Sequence, residues 1–228
     1  MHHVTIPHSF REKIVARRGR YEIFDKLDMS RTALVVIDMQ KAFTDEGAPA
    51  ETPASRGIIP NINRLAAATR RAGAPVVWIK TTFTDETGEH PWPVYFRHFC
   101  TPENAARSIA TLSENSPWHG LASSLDVQPG DLHVTKNRFS CFIPGSSTLD
   151  MILRGRDVDT VIIAGTMTNR CCETSARDAM MIGYKVVLVE DANAALTDEE
   201  HLAALINIAT TFGDVRRTED VVAMISAG

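Results

Sequence analysis

The chain has 228 residues and a mass of 25.1 kDa, with 44% hydrophobic and 23% charged residues, the composition of one globular domain around a single large core. A formal net charge of −4, from 24 basic and 28 acidic residues, gives no electrostatic grip on nucleic acid or anionic lipid. No apolar run reaches the ~18–20 residues that span a bilayer, and the polar start from Met1 to Thr5 has no signal-peptide core; the expectation is a cytoplasmic protein acting on a small molecule, with no membrane or nucleic-acid partner.

Residues 1–30 are polar and read as an N-terminal arm with one short helix, ahead of a single domain over 31–228. Five short apolar, β-branched runs follow, at 33–37, 75–79, 132–135, 160–164 and 185–189. Near-continuous apolarity marks strands covered on both faces. Between them, 58–71, 148–154 and 198–212 carry apolar residues at helical spacing. Strand and helix in alternation predict an α/β fold: three layers around a doubly wound, mostly parallel sheet with right-handed crossovers. The stretch 213–218 offers a short sixth edge strand, so the sheet has five to six strands. Residues 83–128 are too long for a plain connection and carry Phe83, Trp92, Tyr95, Phe96, Phe99 and Trp118, as an insertion or lid over a site would.

In an open parallel sheet, ligands bind beyond the carboxyl ends of the strands, where the strand order reverses. Asp38 follows the first run, Lys136 the third, and Gly165 to Cys172 the fourth, opening a helix. A carboxylate, an amine and a thiol therefore converge on one rim. Helical phase separates the two adjacent cysteines. Cys172, Ala176, Ala179 and Met180 form the stripe that packs on the sheet, which leaves Cys171 in the first turn, where free N–H groups and the helix dipole favour a thiolate. Cys100 and Cys141 read as loop or core residues, and four cysteines are too few for a disulfide scaffold.

The segments ALVVIDMQ at 33–40, KNRFSCF at 136–142 and GTMTNRCCETSARDA at 165–179 together resemble the isochorismatase-like cysteine hydrolases. The likeness runs from about residue 32 to 213 and places the family's Asp, Lys and Cys triad on Asp38, Lys136 and Cys171. It also implies a cis peptide between Thr166 and Met167, and an oxyanion hole formed by the Met167 and Cys171 N–H groups. The activity implied is cleavage of a C–N bond in a linear amide or ureido compound through a thioester-type intermediate. A vinyl-ether hydrolase of the isochorismatase kind, or an idle binding or assembly protein of the same fold, is the alternative.

No cofactor and no metal are implied, since residues 43–57 hold no histidine where nicotinamidases of the family carry an Asp-x-His motif. The 136–142 and 168–174 segments look most like the ureido and carbamoyl branch. For such a substrate, Gln40 and Asn169 can supply planar hydrogen-bond partners; the other reading makes Gln40 a brace to backbone and Asn169 a turn residue. Arg138 can meet a substrate carboxylate or pair with an acidic side chain. Phe43, Trp78, Trp92 and Tyr95 are candidates for the pocket wall, with Trp78 equally placed for the core. Family members are often dimers or tetramers, so a homodimer or homotetramer is expected.

Overall fold

The computed structural model describes residues 1–84 and 91–227. Its six strands are β1 (Thr32–Ile37), β2 (Val76–Thr81), β3 (Leu132–Lys136), β4 (Thr160–Thr166), β5 (Lys185–Ala194) and β6 (Asp214–Arg216). Among the described residues nine α-helices connect or flank them: α1 (His8–Arg18), α2 (Lys41–Thr44), α3 (Ala54–Arg71), α4 (Pro93–His98), α5 (Pro102–Thr111), α6 (Leu149–Arg154), α7 (Glu173–Met181), α8 (Asp198–Asn207) and α9 (Thr218–Ala227). All five strand pairings are parallel and the order is β3-β2-β1-β4-β5-β6. The chain thus winds outward from β1 to β3, returns, and winds outward again from β4. The switch point between β1 and β4 is where a doubly wound sheet leaves a crevice.

Alternation along the strands sorts the core into two layers. Ala33, Val35, Ile37, Val77 and Ile79 pack with α6, α7, α8 and Ile14 of α1. Leu34, Val36 and Trp78 point the other way, onto Ile58, Ile62 and Leu65 of α3 and Val221 and Ile225 of α9. β1 lies between the two layers, and its six residues are all buried. β1 and β4 are pressed together at their carboxyl ends. Gly165 has φ of 124°, and a Cβ there would lie 2.0 Å from the Ile37 carbonyl oxygen, so only glycine fits this close approach.

The sixth, edge strand forms, and β2, β4 and β5 run on past the apolar runs to Thr81, Thr166 and Ala194. The arm holds the expected helix, and its end is fastened to the sheet. The fully buried Asp214 carboxylate accepts the Ile23 and Phe24 backbone N–H groups, each at 2.9 Å through Oδ2. The 83–128 insertion, whose residues 85–90 lie outside the described residues, contributes α4 and α5 and packs Phe83, Phe96, Ala105 and Leu112 in a small apolar cluster with Ala42 of α2. Among the described residues no helix is long and apolar enough to cross a membrane.

Candidate active site

Four strand ends supply the centre of the site. The first residue after β1, Asp38, has φ of 53°, a left-handed conformation that Asp tolerates better than most side chains. Its carboxylate is fully buried, with Oδ2 2.8 Å from the Lys136 ammonium at the end of β3. Between the two stands Thr81, the last residue of β2. Its hydroxyl donates to Asp38 Oδ1 at 2.9 Å and accepts from Lys136 Nζ at 2.6 Å. Lys136 Nζ also reaches the Arg138 carbonyl at 3.0 Å and Cys171 Sγ at 3.3 Å. The buried ammonium is therefore surrounded by four acceptors.

Cys171 arrives from β4 through a turn of unusual width. The Thr166–Met167 peptide bond is cis, and residues Thr168–Cys172 then form a π turn before α7 begins. The turn is held from outside by Thr168, whose hydroxyl is 2.8 Å from His201 Nδ1 on α8. His201 is itself held neutral, its pKa pushed down to about 3 by burial and then by His2. Cys171 is 8% exposed and borders the cavity, whereas Cys172 is fully buried with Ala176 and Ala179. Cys141 lies buried against Ser175 Oγ at 3.3 Å, and Cys100 is half-buried by the α4 cluster.

The electrostatics differ in one respect from the thiolate expected at a helix mouth. Burial pushes the Cys171 thiol up to about 12, the Asp38 charge adds to this, and Lys136 opposes it without prevailing. For Lys136, burial disfavours the ammonium, but the Asp38 charge, Cys171 and the hydrogen bond to Asp38 together outweigh it and hold the pKa above the ordinary lysine range. Cys171 is thus a thiol beside a carboxylate–ammonium contact, disfavoured as thiolate first by burial and then by the Asp38 charge.

A cavity of about 130 Å³ opens on Cys171. Phe43, Tyr95, Arg138 and Met167 line it, as the sequence suggests for a pocket wall and an oxyanion donor; Thr81, Phe83, Phe96, Phe139 and Arg170 line it as well. Four of the candidate substrate contacts, Gln40, Trp78, Trp92 and Asn169, are not among the residues that line the cavity. Trp78 is fully buried in the layer facing α3, and its Nε1 donates to Asp131 Oδ2 at 2.7 Å; strand alternation turns it away from the site. Gln40 is fully buried and its amide is spent on backbone: Nε2 donates to the Thr81 and His119 carbonyls at 3.1 and 2.9 Å, and Oε1 accepts the Thr81 N–H at 2.8 Å. Trp92 stands behind the wall, stacked on Tyr95 with ring centroids 4.7 Å apart and edge-on to Phe139. Asn169 likewise is not among the cavity-lining residues, and its Oδ1 is buried without a hydrogen-bond partner.

Thr81 is the residue that strand reasoning passed over. The rule that found Asp38 and Lys136 applies to it equally, but the apolar run of β2 ends at Ile79, two residues short of the true strand end. Arg170 carried one signal, its place next to Cys171.

A buried cysteine held against a carboxylate–ammonium pair, at the switch point of a parallel sheet and open to a small cavity, is the equipment of an α/β hydrolase that works through a thiol. Residues 32–220 match the isochorismatase domain model, and the protein belongs to the isochorismatase family. The chain is 33% identical over 201 residues to the ureidoacrylate amidohydrolase RutB of Enterobacter sp. (strain 638), covering 83% of this chain and 86% of that one. It is 31% identical over 217 residues to RutB of Rhizobium rhizogenes, covering 88% and 85%. Among solved structures, a cysteine hydrolase from Pseudomonas syringae pv. phaseolicola superposes with a TM-score of 0.79 at 30% identity, covering 89% of this chain and 95% of that one.

Proposed function

We propose that the protein is a cysteine amidohydrolase that cleaves a C–N bond of a small linear ureido or carbamoyl compound, with Cys171 as nucleophile, Asp38 as proton carrier and Lys136 as the cation that holds both in place. The observation that carries this reading is the position of one ammonium, 2.8 Å from Asp38 Oδ2 and 3.3 Å from Cys171 Sγ, beside a cavity. The two RutB relatives, named for ureidoacrylate, support the substrate class.

The neutral thiol sets the order of events. As the substrate carbonyl meets Sγ, Asp38 takes the thiol proton while the S–C bond forms and the carbonyl electrons move onto oxygen. The oxyanion is received by the Met167 and Cys171 N–H groups, where one such donor is worth about 3–4 kcal/mol in comparable sites. Asp38 then gives the proton to the departing nitrogen as the C–N bond breaks, which leaves an acyl or carbamoyl thioester. Water attacks that thioester, passing a proton to Asp38. Collapse breaks the C–S bond, and the sulfur recovers its proton from Asp38. Lys136 remains charged throughout, compensating the negative charge that travels between carboxylate and sulfur.

Turnover of ureidoacrylate and N-carbamoyl amino acids, followed as release of ammonia or amine, tests the reading. Cys171→Ala and Asp38→Asn are each expected to lose at least about 1000-fold in kcat/KM while keeping the wild-type circular dichroism. Full activity in either folded variant refutes the scheme.

A further inference from the structure

The described wall of the Cys171 cavity carries two cations, Arg138 and Arg170, and no carboxylate; the buried Asp38 is already paired with Lys136. The two arginines are not equivalent. Arg138 is committed: its Nη1 donates to the Pro91 carbonyl at 3.1 Å, the Asn137 carbonyl at 2.7 Å and Asn137 Oδ1 at 3.1 Å, and its guanidinium lies 5.2 Å from the Trp92 ring centroid. Arg170 is exposed and lines the cavity one residue before the nucleophile. Its guanidinium makes no hydrogen bond or ion pair among the described residues, and its charge acts on the Tyr95 phenol on the cavity wall. A planar, permanently charged fork without a partner among the described residues, next to a small apolar cavity, matches a carboxylate.

We infer that Arg170 anchors a carboxylate of the substrate, so that the protein acts on short-chain ureido or carbamoyl acids in preference to neutral ureas and amides. This rests on the amidohydrolase reading above and adds the charge and reach of the substrate. Arg170 and Cys171 line one cavity of about 130 Å³, so a substrate that reaches both is short. Arg138 is tied to the Pro91 and Asn137 carbonyls.

Alkylation of Cys171 reads the anchor without turnover. Iodoacetate and iodoacetamide differ in charge and little in size, so the ratio of their rates at pH 9 reports an anion site beside the thiol. The modified peptide is identified by mass, and Cys171→Ala gives the background from the other thiols. Arg170→Gln is expected to lower the iodoacetate to iodoacetamide ratio about tenfold, and Arg170→Lys to retain part of it. In turnover, Arg170→Gln lowers kcat/KM for a ureido acid more than for the corresponding ureido amide. A lowered alkylation ratio in a protein that turns over no ureido compound supports the anchor and rejects the amidohydrolase reading. A ratio unchanged by Arg170→Gln overturns the anchor, whether or not ureido compounds are turned over.

Discussion

Replacing Thr81 by valine keeps the shape of the side chain and removes one hydroxyl, which serves two charged groups at once. In the native site that hydroxyl is 2.9 Å from Asp38 Oδ1 and 2.6 Å from Lys136 Nζ. The ammonium keeps three partners, Asp38 Oδ2, the Arg138 carbonyl and Cys171 Sγ, but the buried Asp38 Oδ1 loses the donor that the Thr81 hydroxyl supplies. A buried group stripped of a hydrogen bond costs about 1–3 kcal/mol, more when it is charged, so Thr81→Val is expected to be less stable by about 2–4 kcal/mol. Activity is expected to fall as well, because the carboxylate proposed to take the thiol proton is no longer held at both oxygens. Loss of one hydrogen bond to a charged group, worth about 1.5–3 kcal/mol, corresponds to roughly 10–150-fold in kcat/KM. Urea unfolding gives the first quantity and steady-state release of ammonia or amine the second, with Thr81→Ser expected to recover most of both. A Thr81→Val protein with kcat/KM within about twofold of wild type would show that Asp38 needs no such brace.

Trp78→Phe removes the bond from Nε1 to Asp131 Oδ2, a carboxylate that Arg70 also holds at 2.7 Å, and is expected to cost about 1–2 kcal/mol in urea unfolding with KM unchanged; a raised KM at unchanged stability would put Trp78 back in the pocket. Burial holds the Cys141 and Cys171 thiols up at about 12, while an unfolded cysteine titrates near ~8.5. Between those values the unfolded chain has released protons that the native one keeps, so stability falls as pH rises, by about 1.4 kcal/mol per pH unit for each thiol. Unfolding at pH 8 and pH 10 checks the sign, and Cys141→Ala should make the decline shallower; stability rising over that interval would mean that a native thiol is ionised.

The layers and the doubly wound, parallel character of the sheet are legible because they depend on patterns of short range. Continuous apolar runs show which segments are covered on both faces, and a rule of topology then carries Asp38, Lys136 and Cys171 to one edge. What was not legible depends on where a strand stops and which face a residue takes. Thr81 lies beyond the apolar run because the last residues of β2 face the polar site. Trp78 has the composition of a pocket wall and the parity of a core residue, and parity decides. Gln40 was an even choice between substrate and backbone until the Thr81 and His119 groups that occupy its amide were in view. The π turn at Thr168–Cys172 is invisible to a search at helical spacing, since its hydrogen bonds skip one residue more, as in Cys172 N–H to the Met167 carbonyl at 3.2 Å.

Oxidants and other electrophiles react with thiolates far faster than with thiols. A cysteine kept at about 12 by burial and a neighbouring carboxylate presents almost none of the reactive form to peroxide at neutral pH. On the mechanism proposed above, the proton leaves only when a substrate carbonyl is close enough to accept the electrons that the sulfur releases, so the retained proton works as a safety catch on the thiol.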